Sequence, residues 1–167
     1  MAIRIAINGF GRIGRNVVRA GWNRDDIEFV HINDLTSDDM LAYLLTHDTV
    51  HREWPHTVES TDSGLAIDGK IIPTTSERNP SHLPWAQLGV DVVLECTGVF
   101  TTGESAGQHI LAGAKKVIIS APGKDIDGTF VMGVNDGDIN PQVHNIVSNA
   151  SCTTNCLAPI AKLLNDL

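Results

Sequence analysis

The chain has 167 residues, 42% of them hydrophobic and 19% charged, and this balance excludes a disordered chain and predicts one domain with a hydrophobic core. Its formal net charge of −8 argues against a surface for nucleic acid or for a membrane, because both are themselves anionic. The opening residues, MAIRIAINGF, do not form a signal peptide, and no apolar run approaches the ~20 residues of a spanning helix. Three cysteines without an export signal favour a cytoplasmic protein with reduced thiols.

The first half of the chain alternates between strand and helix patterns. IRIAI predicts a buried strand, a glycine turn and a helix follow it, and IEFVHIND predicts a second strand. TSDDMLAYLLTH predicts a helix that Thr36 or Ser37 would cap. HTVESTDSGLAIDGKIIPT alternates apolar and polar residues between turn signals, so it predicts a small antiparallel insertion.

The second half continues the alternation. PSHLPWAQLG predicts a short helix capped by Ser81, VDVVLECTG a third strand, and TTGESAGQHILAGA a helix capped near Thr102. KKVIIS, TFVMGVN and HNIVSNA predict three further strands, and SCTTNCLAPIAKLLNDL predicts a closing helix. Strands that alternate with helices over short links indicate an α/β fold with a doubly wound, mostly parallel sheet.

A glycine turn after the first strand indicates a ligand-binding site. Gly9, Gly11 and Gly14 have the spacing G-x-G-x-x-G between a strand and a helix, and Asp34 ends the next strand about 20 residues later. Such glycines allow a tight turn and a close approach to a pyrophosphate, which the helix N-terminus binds. Asp34 would accept the ribose hydroxyls and repel a 2′-phosphate. The pattern predicts a Rossmann-like domain over residues 1–150 that binds NAD rather than NADP.

Cys152 stands where the last predicted strand ends and the last helix begins. The N-terminus of a helix favours a thiolate, and its N–H groups can hold an oxyanion. Ser151 and Thr153 offer hydroxyls suited to a phosphate or to capping. We predict that Cys152 is a nucleophile, with a buried thiol beside a helix cap as the alternative, whereas Cys96 and Cys156 are expected to be small core residues.

Five segments occur in one order, INGFGRIGR, ECTGVFTT, GAKKVIISAP, FVMGVN and VSNASCTTNCLAP. Together they resemble the glyceraldehyde-3-phosphate dehydrogenase family over residues 3–167. The resemblance implies a two-domain glycolytic enzyme, a homotetramer, that oxidises glyceraldehyde 3-phosphate with NAD and inorganic phosphate to 1,3-bisphosphoglycerate. The aldehyde would form a thiohemiacetal and then a thioester on Cys152.

The resemblance also implies roles for individual residues. Arg12 and Ile13 would contact the cofactor at the glycine turn, Arg78 would lie beside the adenine, and Thr97 and Ser120 would lie near the nicotinamide. Ser151 and Thr153 would contact substrate or phosphate. Asn79 stands where the family often has an aspartate, which bears on the contact through Arg78. No metal site is expected, and the loop with His47, His51 and His56 is expected to be solvated.

The family's general base is a histidine downstream of the cysteine helix, whereas all seven histidines of this chain precede Cys152. We therefore expect residues 151–167 to begin a catalytic domain, the chain to be the N-terminal portion of a longer protein, and this portion alone to be nearly inactive. Two alternatives stay open. One is erythrose-4-phosphate dehydrogenase, a related family with the same core motifs, and the other is a non-enzymatic dinucleotide-binding module that ends near Leu167.

Overall fold

The computed structural model describes residues 2–167, whose strands and helices are as follows. The strands are β1 (Ile3–Asn8), β2 (Ile27–Asn33), β3 (His47–Asp48), β4 (Arg52–Glu53), β5 (Val58–Thr61), β6 (Gly64–Ile67), β7 (Lys70–Ile72), β8 (Thr74–Thr75), β9 (Val92–Glu95), β10 (Lys116–Ile119), β11 (Gly128–Thr129) and β12 (Ile146–Ser148). The α-helices are α1 (Arg12–Gly21), α2 (Asp38–Thr46), α3 (Trp85–Leu88), α4 (Gly103–Leu111) and α5 (Cys152–Asn165), and Pro80–His82 and Asp136–Asp138 are short 3-10 helices.

A seven-stranded parallel sheet in the order β11-β12-β10-β9-β1-β2-β8 forms the centre of the molecule. The chain starts in the middle of the sheet, adds β2 on one side, and then crosses to β9 on the other. The predicted doubly wound, Rossmann-like α/β fold is confirmed. This crossing brings the carboxyl ends of β1, β2 and β9 together, where open α/β sheets bind ligands.

Apolar side chains cover both faces of the sheet. On β1, Ile5 and Ile7 belong to a core with α1, α2 and the antiparallel insertion, whereas Ala6 belongs to a second core with α3 and α4. Successive residues of a strand point to opposite faces, so a run such as IRIAI can supply both cores at once. Trp85 is the largest fully buried side chain of the second core.

The predicted antiparallel insertion is confirmed as the sheet β5-β6-β7, in which every residue of β6 is buried. No pattern in the sequence predicted the hairpin β3-β4 that precedes it. Asp48 makes this hairpin, since one carboxylate oxygen accepts the N–H groups of Val50 and His51 at 2.8 Å each. These backbone hydrogen bonds, together with the bond from Arg12, hold the pKa of Asp48 well below its usual range.

The prediction of a strand over TFVMGVN is wrong for most of its length, because only Thr129 belongs to β11. The side chain of Asn135 folds the following residues into a turn, accepting the N–H of Val131 at 2.8 Å and donating to the carbonyl of Thr129 at 3.0 Å. Gly133 has φ 76° inside this turn. A side chain that satisfies the backbone in this way competes with the sheet.

Two capping predictions have different outcomes. Thr102 caps α4 as predicted, in a capping box with Ser105. Ser81 does not cap α3. Asn79 accepts the N–H of Ser81 at 3.1 Å and starts a 3-10 helix, and α3 begins separately after Pro84. A proline on either side of Ser81–Leu83 leaves room for only one turn.

α5 lies outside both cores. None of its residues, all of which the structure describes, is buried, and Leu157 and Leu164 are 65% and 67% exposed. The prediction that Cys156 is a core residue is therefore wrong, because an exposed helix face carries it. Cys96 is partly buried, and burial raises the pKa of its thiol to about 11. Within residues 2–167 the structure has no helix with the length and apolar character needed to cross a membrane.

Candidate functional site

The candidate site lies at the carboxyl edge of the sheet, where the strands end in polar residues. Asn8, Asn33 and Glu95 are the last residues of β1, β2 and β9, and the strand register places Asn8 beside both others. The glycine turn, Asp34 and Cys96 follow directly. Two clefts open above this edge.

The glycine turn is packed so tightly that two of its positions, Gly9 and Gly14, have no room for a side chain. Gly9 has φ 90°, and a Cβ there would meet the backbone nitrogen of Thr97 at 2.6 Å. A Cβ on Gly14 would strike the carbonyl oxygen of Gly9 and would lie 3.1 Å from Cγ2 of Ile7. Gly11 instead faces open space, with nothing within 4 Å of an added Cβ. It is the N-cap of α1 and makes no side-chain capping bond, so the first N–H groups of α1 remain available to a ligand.

The first cleft has a volume of about 390 Å³ and brings together five of the predicted cofactor residues, Gly9, Gly11, Asp34, Arg78 and Thr97. Sequence reasoning missed the other residues that line it, which are Asn8, Asn33, Leu35, Glu77, Cys96, Val99 and Phe100. Asn8, Asn33 and Leu35 directly flank motif residues, and that adjacency was the available signal. Residues separated by more than forty positions meet here because β1, β2 and β9 are neighbours.

Asp34 is held in place by two backbone groups. Its Oδ2 accepts the N–H of Phe10 at 2.6 Å and its Oδ1 accepts the N–H of Thr36 at 2.9 Å. Each carboxylate oxygen has two acceptor positions, so each retains one for a further donor. Asp34 can thus accept two vicinal hydroxyl groups, as a ribose presents them.

The second cleft has a volume of about 500 Å³ and holds the predicted nucleophile. Ile13, Ser120, Ser151 and Cys152 line it, with an apolar floor of Val17, Leu94, Ile118, Phe130, Met132, Ile139 and Val147. Cys96 lines both clefts. The two clefts therefore share a wall, and a long ligand that lies across the sheet edge can occupy both.

Cys152 is the first residue of α5 and is exposed. Ser151 is the N-cap, and its Oγ accepts the N–H of Thr154 at 2.9 Å. Ala150 turns the chain from β12 into the helix with φ 61°, a left-handed conformation that costs a residue with a Cβ about 1–2 kcal/mol. Thr153 lies 2.8 Å from Ser151 by their hydroxyl oxygens, but among residues 2–167 it is not one of those that line either cleft.

Arg12 is bonded to Asp48 across the surface, and the cofactor contact that the resemblance implies for it stays a prediction. Its guanidinium lies 2.9 Å from Oδ2 of Asp48, and Arg12 is not among the described residues that line the clefts. The bond attaches the hairpin β3-β4 to the first turn of α1.

No histidine is among the residues of 2–167 that line the cleft of Cys152. His109 is fully buried and bonded to Glu95, and His144 accepts the N–H of Asn140 at 3.0 Å. In the loop before the insertion, His56 pairs with Asp68 at 2.6 Å. No three histidine, cysteine or acidic residues of the described part cluster as ligands for a metal ion.

Comparisons with known proteins agree with this geometry. Residues 3–103 match the family model "Glyceraldehyde 3-phosphate dehydrogenase, NAD binding domain". Glyceraldehyde-3-phosphate dehydrogenase 1 of Trichormus variabilis is 57% identical over 98% of this chain and 48% of the relative. The enzymes named glyceraldehyde-3-phosphate dehydrogenase of Priestia megaterium and Bacillus subtilis are 55% and 52% identical over 99% of this chain and 50% of each relative. The chain thus spans about half the length of the curated relatives it matches.

Proposed function

Because this chain belongs to the family of NAD-binding domains of glyceraldehyde 3-phosphate dehydrogenase, we propose that its two adjacent clefts bind NAD and set it beside the thiol of Cys152. NAD is the cofactor of this family. The observation that carries the proposal is the shared wall at Cys96, which joins a cleft with a ribose acceptor to a cleft with a nucleophile. Because of this shared wall, one ligand could reach both Asp34 and Cys152.

The residues of the first cleft fit the adenosine half of NAD. Asp34 has acceptor positions for the two ribose hydroxyls, and Arg78 lies in the same cleft for the adenine side. The N–H groups at the start of α1 and the space in front of Gly11 suit the pyrophosphate. Ser120 and Ile13 line the second cleft, where the nicotinamide would lie.

The residues of the second cleft fit acyl transfer through sulfur. In the proposed reaction the thiolate of Cys152 adds to the aldehyde carbon, and the carbonyl becomes an oxyanion that N–H groups at the start of α5 would hold. When bound, NAD would supply the acceptor for the hydride that leaves the former aldehyde carbon. A thioester remains on Cys152, and an oxygen of inorganic phosphate then attacks its carbon and releases the thiolate. Ser151 and Thr153 are proposed to contact the phosphate groups.

A general base is the part of this chemistry that the described cleft does not supply. We propose that in the complete protein a histidine outside this chain takes the proton that the Cys152 thiol loses when it becomes the thiolate. The chain alone is expected to transfer acyl groups about 10²–10⁴-fold more slowly than the complete protein. The complete protein is proposed to be a cytoplasmic homotetramer acting on glyceraldehyde 3-phosphate, the substrate in the names of its relatives.

Calorimetric titration of the chain with NAD and NADP tests the cofactor proposal. We expect NAD to bind more tightly, and Asp34→Ser to lower NAD affinity about tenfold and to narrow the preference, because the ribose loses its acceptors. Asp26→Ser is the matched control, since Asp26 pairs with Arg24 at the surface, just before β2 begins. An unchanged preference in Asp34→Ser would show that Asp34 does not contact the ribose.

A further inference from the structure

Three polar side chains lie in a row beneath the first cleft. Asn33, Asn8 and Glu95 end adjacent strands and are only 4%, 2% and 1% exposed. Buried polar groups are costly unless every one of them is hydrogen-bonded. Each of the three side chains is hydrogen-bonded. Neighbouring N–H groups, which can only donate, determine which atom of each side chain accepts.

The orientation of Asn33 is set by the backbone of Glu77. The N–H of Glu77 can only donate, so the atom of Asn33 that it reaches at 2.8 Å must be the oxygen. The amide nitrogen of Asn33 then donates to the carbonyl of Glu77 at 2.9 Å and to Oδ1 of Asn8 at 2.7 Å. Asn8 in turn donates from its nitrogen to Oε2 of Glu95 at 2.6 Å. The hydrogen bonds therefore run in one direction, from Asn33 towards Glu95.

A second run of hydrogen bonds reaches Glu95 from the opposite side. The indole of Trp85 can only donate, and its Nε1 lies 3.0 Å from Nδ1 of His109. That nitrogen must accept, so the ring hydrogen is on Nε2, which donates to Oε2 of Glu95 at 3.0 Å. The N–H of Thr97 donates to Oε1 at 2.8 Å, and the hydroxyl of Thr97 bonds to the same oxygen. The two oxygens of Glu95 thus take part in four hydrogen bonds.

These hydrogen bonds keep two walls of the first cleft in place. Asn33 binds both the N–H and the C=O of Glu77, which lies next to Arg78, and Glu95 binds the backbone and the side chain of Thr97. Glu77, Arg78 and Thr97 line the cleft, whereas Glu95 is not among the residues that line it in the described chain.

We propose that Glu95 is a positioning residue for the adenosine half of the bound dinucleotide. It acts through Asn8 and Asn33 on residues 77–78 and directly on Thr97. The ligand in this inference rests on the function proposed above. A glutamine cannot take its place, because its amide NH₂ would face donors whichever way it turned. On one side stand Asn8 and His109, and on the other stands the N–H of Thr97.

The test compares Glu95→Gln with the matched control Glu28→Gln in the full 167-residue chain. Glu28 sits at the opposite end of the sheet, in a surface ion pair with Arg4. Calorimetry with adenosine monophosphate and with NAD measures affinity, and amide NMR resonances of Glu77 and Arg78 report the geometry of that wall. We expect Glu95→Gln to weaken both ligands by a similar factor, about tenfold, and to shift the Glu77 and Arg78 resonances. Glu28→Gln should change neither quantity.

Each outcome decides the inference. A folded Glu95→Gln chain with wild-type affinity for adenosine monophosphate, or with unmoved Glu77 and Arg78 resonances, overturns it. If the wild-type chain binds neither ligand, the proposed function fails and the adenosine role of Glu95 fails with it. The resonances show in that case whether the hydrogen bonds still position residues 77–78.

A milder variant serves if Glu95→Gln does not fold. Thr75→Val removes the hydroxyl that donates to Oδ1 of Asn33 at 2.8 Å and leaves Glu95 in place. We expect a shift of the Glu77 resonance and a loss of affinity of about threefold. Unchanged values of both would overturn the positioning role.

Discussion

At the scale of single residues, His31 is a buried histidine with one bonded and one unbonded ring nitrogen. The hydroxyl of Thr75 gives its hydrogen to Asn33, so its oxygen must accept the Nε2–H of His31 at 3.0 Å. Nδ1 of His31 is buried and has no hydrogen-bond partner within residues 2–167. A second proton on this ring would be a buried, unpaired charge, and burial accordingly lowers the pKa of His31 to about 4.

This histidine should make the stability of the chain depend on pH. The unfolded chain binds a proton at His31 below pH ~6.5, whereas the folded chain does so only below about 4. The free energy of unfolding is therefore expected to fall as the pH falls from 6.5 towards 4, and the contribution of His31 is complete above 6.5. Urea unfolding at a series of pH values measures this slope.

His31→Gln provides the comparison, because its amide can still donate to Thr75 but does not titrate. The variant should have a shallower slope between pH 6.5 and 4. Equal slopes in the two chains would mean that His31 takes up its proton in the folded state as readily as in the unfolded state.

The sequence predicted those site residues that belong to a local pattern. Gly9, Gly11, Gly14 and Asp34 form one spacing and could be recognised without a structure. The partners of Glu95 could not, because Asn8 and His109 lie 87 and 14 positions away along the chain and no short pattern connects them. The engagement of Arg12 by Asp48, 36 positions on, was hidden for the same reason.

At the scale of secondary-structure elements, two helices of equal length begin in different ways. α4 and α2 have nine residues each. Thr102 accepts the N–H of Ser105 at 3.1 Å at the start of α4, whereas Ser37, the N-cap of α2, makes no side-chain capping bond. The two positions therefore form a matched pair for measuring what a cap contributes.

Thr102→Ala is expected to lower the free energy of unfolding by about 1 kcal/mol, because the orphaned N–H loses its acceptor. Ser37→Ala should cost clearly less, since no capping bond is lost there. Urea unfolding of both variants measures the difference. Equal losses would mean that the capping box does not stabilise α4 in solution.

The elements that the sequence predicted best are those with uninterrupted apolar patterns. β1, β2, β9 and β10 were visible as β-branched runs. The first three strands supply both cores, whereas β10 supplies the second core. β11 was overestimated because the amide of Asn135 replaces the sheet as hydrogen-bond partner. Strand propensity does not account for a side chain such as Asn135, which bonds to the backbone four residues earlier and replaces the strand partner.

At the scale of the whole molecule, the chain divides into a sheet covered on both faces and a helix that joins neither core. α4 packs Ala106 and His109 into the interior, whereas α5 buries none of its residues. Helices gain most of their stability from packing an apolar face. The helix that begins with Cys152 is therefore the least anchored of the long helices described here.

Native-state hydrogen exchange should reveal this difference. Amides of β1, β9 and α4 are expected to exchange roughly 10³-fold or more slowly than those of α5, because the former open only with the core. α4 is the internal control for helical hydrogen bonding. Equal protection of α4 and α5 would show that α5 is held by interactions in solution that its exposed surface does not indicate.

The wall that the two clefts share has a consequence for substitution. Cys96 stands between them with a side chain of modest volume, and its thiol is protonated at neutral pH, so it presents bulk rather than charge. A larger residue there would narrow both clefts at once, and a smaller one would thin the wall between them. In the binding mode proposed above, neither half of the dinucleotide could be refitted by evolution or by design without disturbing the other, so position 96 would act as a single shape constraint on the whole ligand.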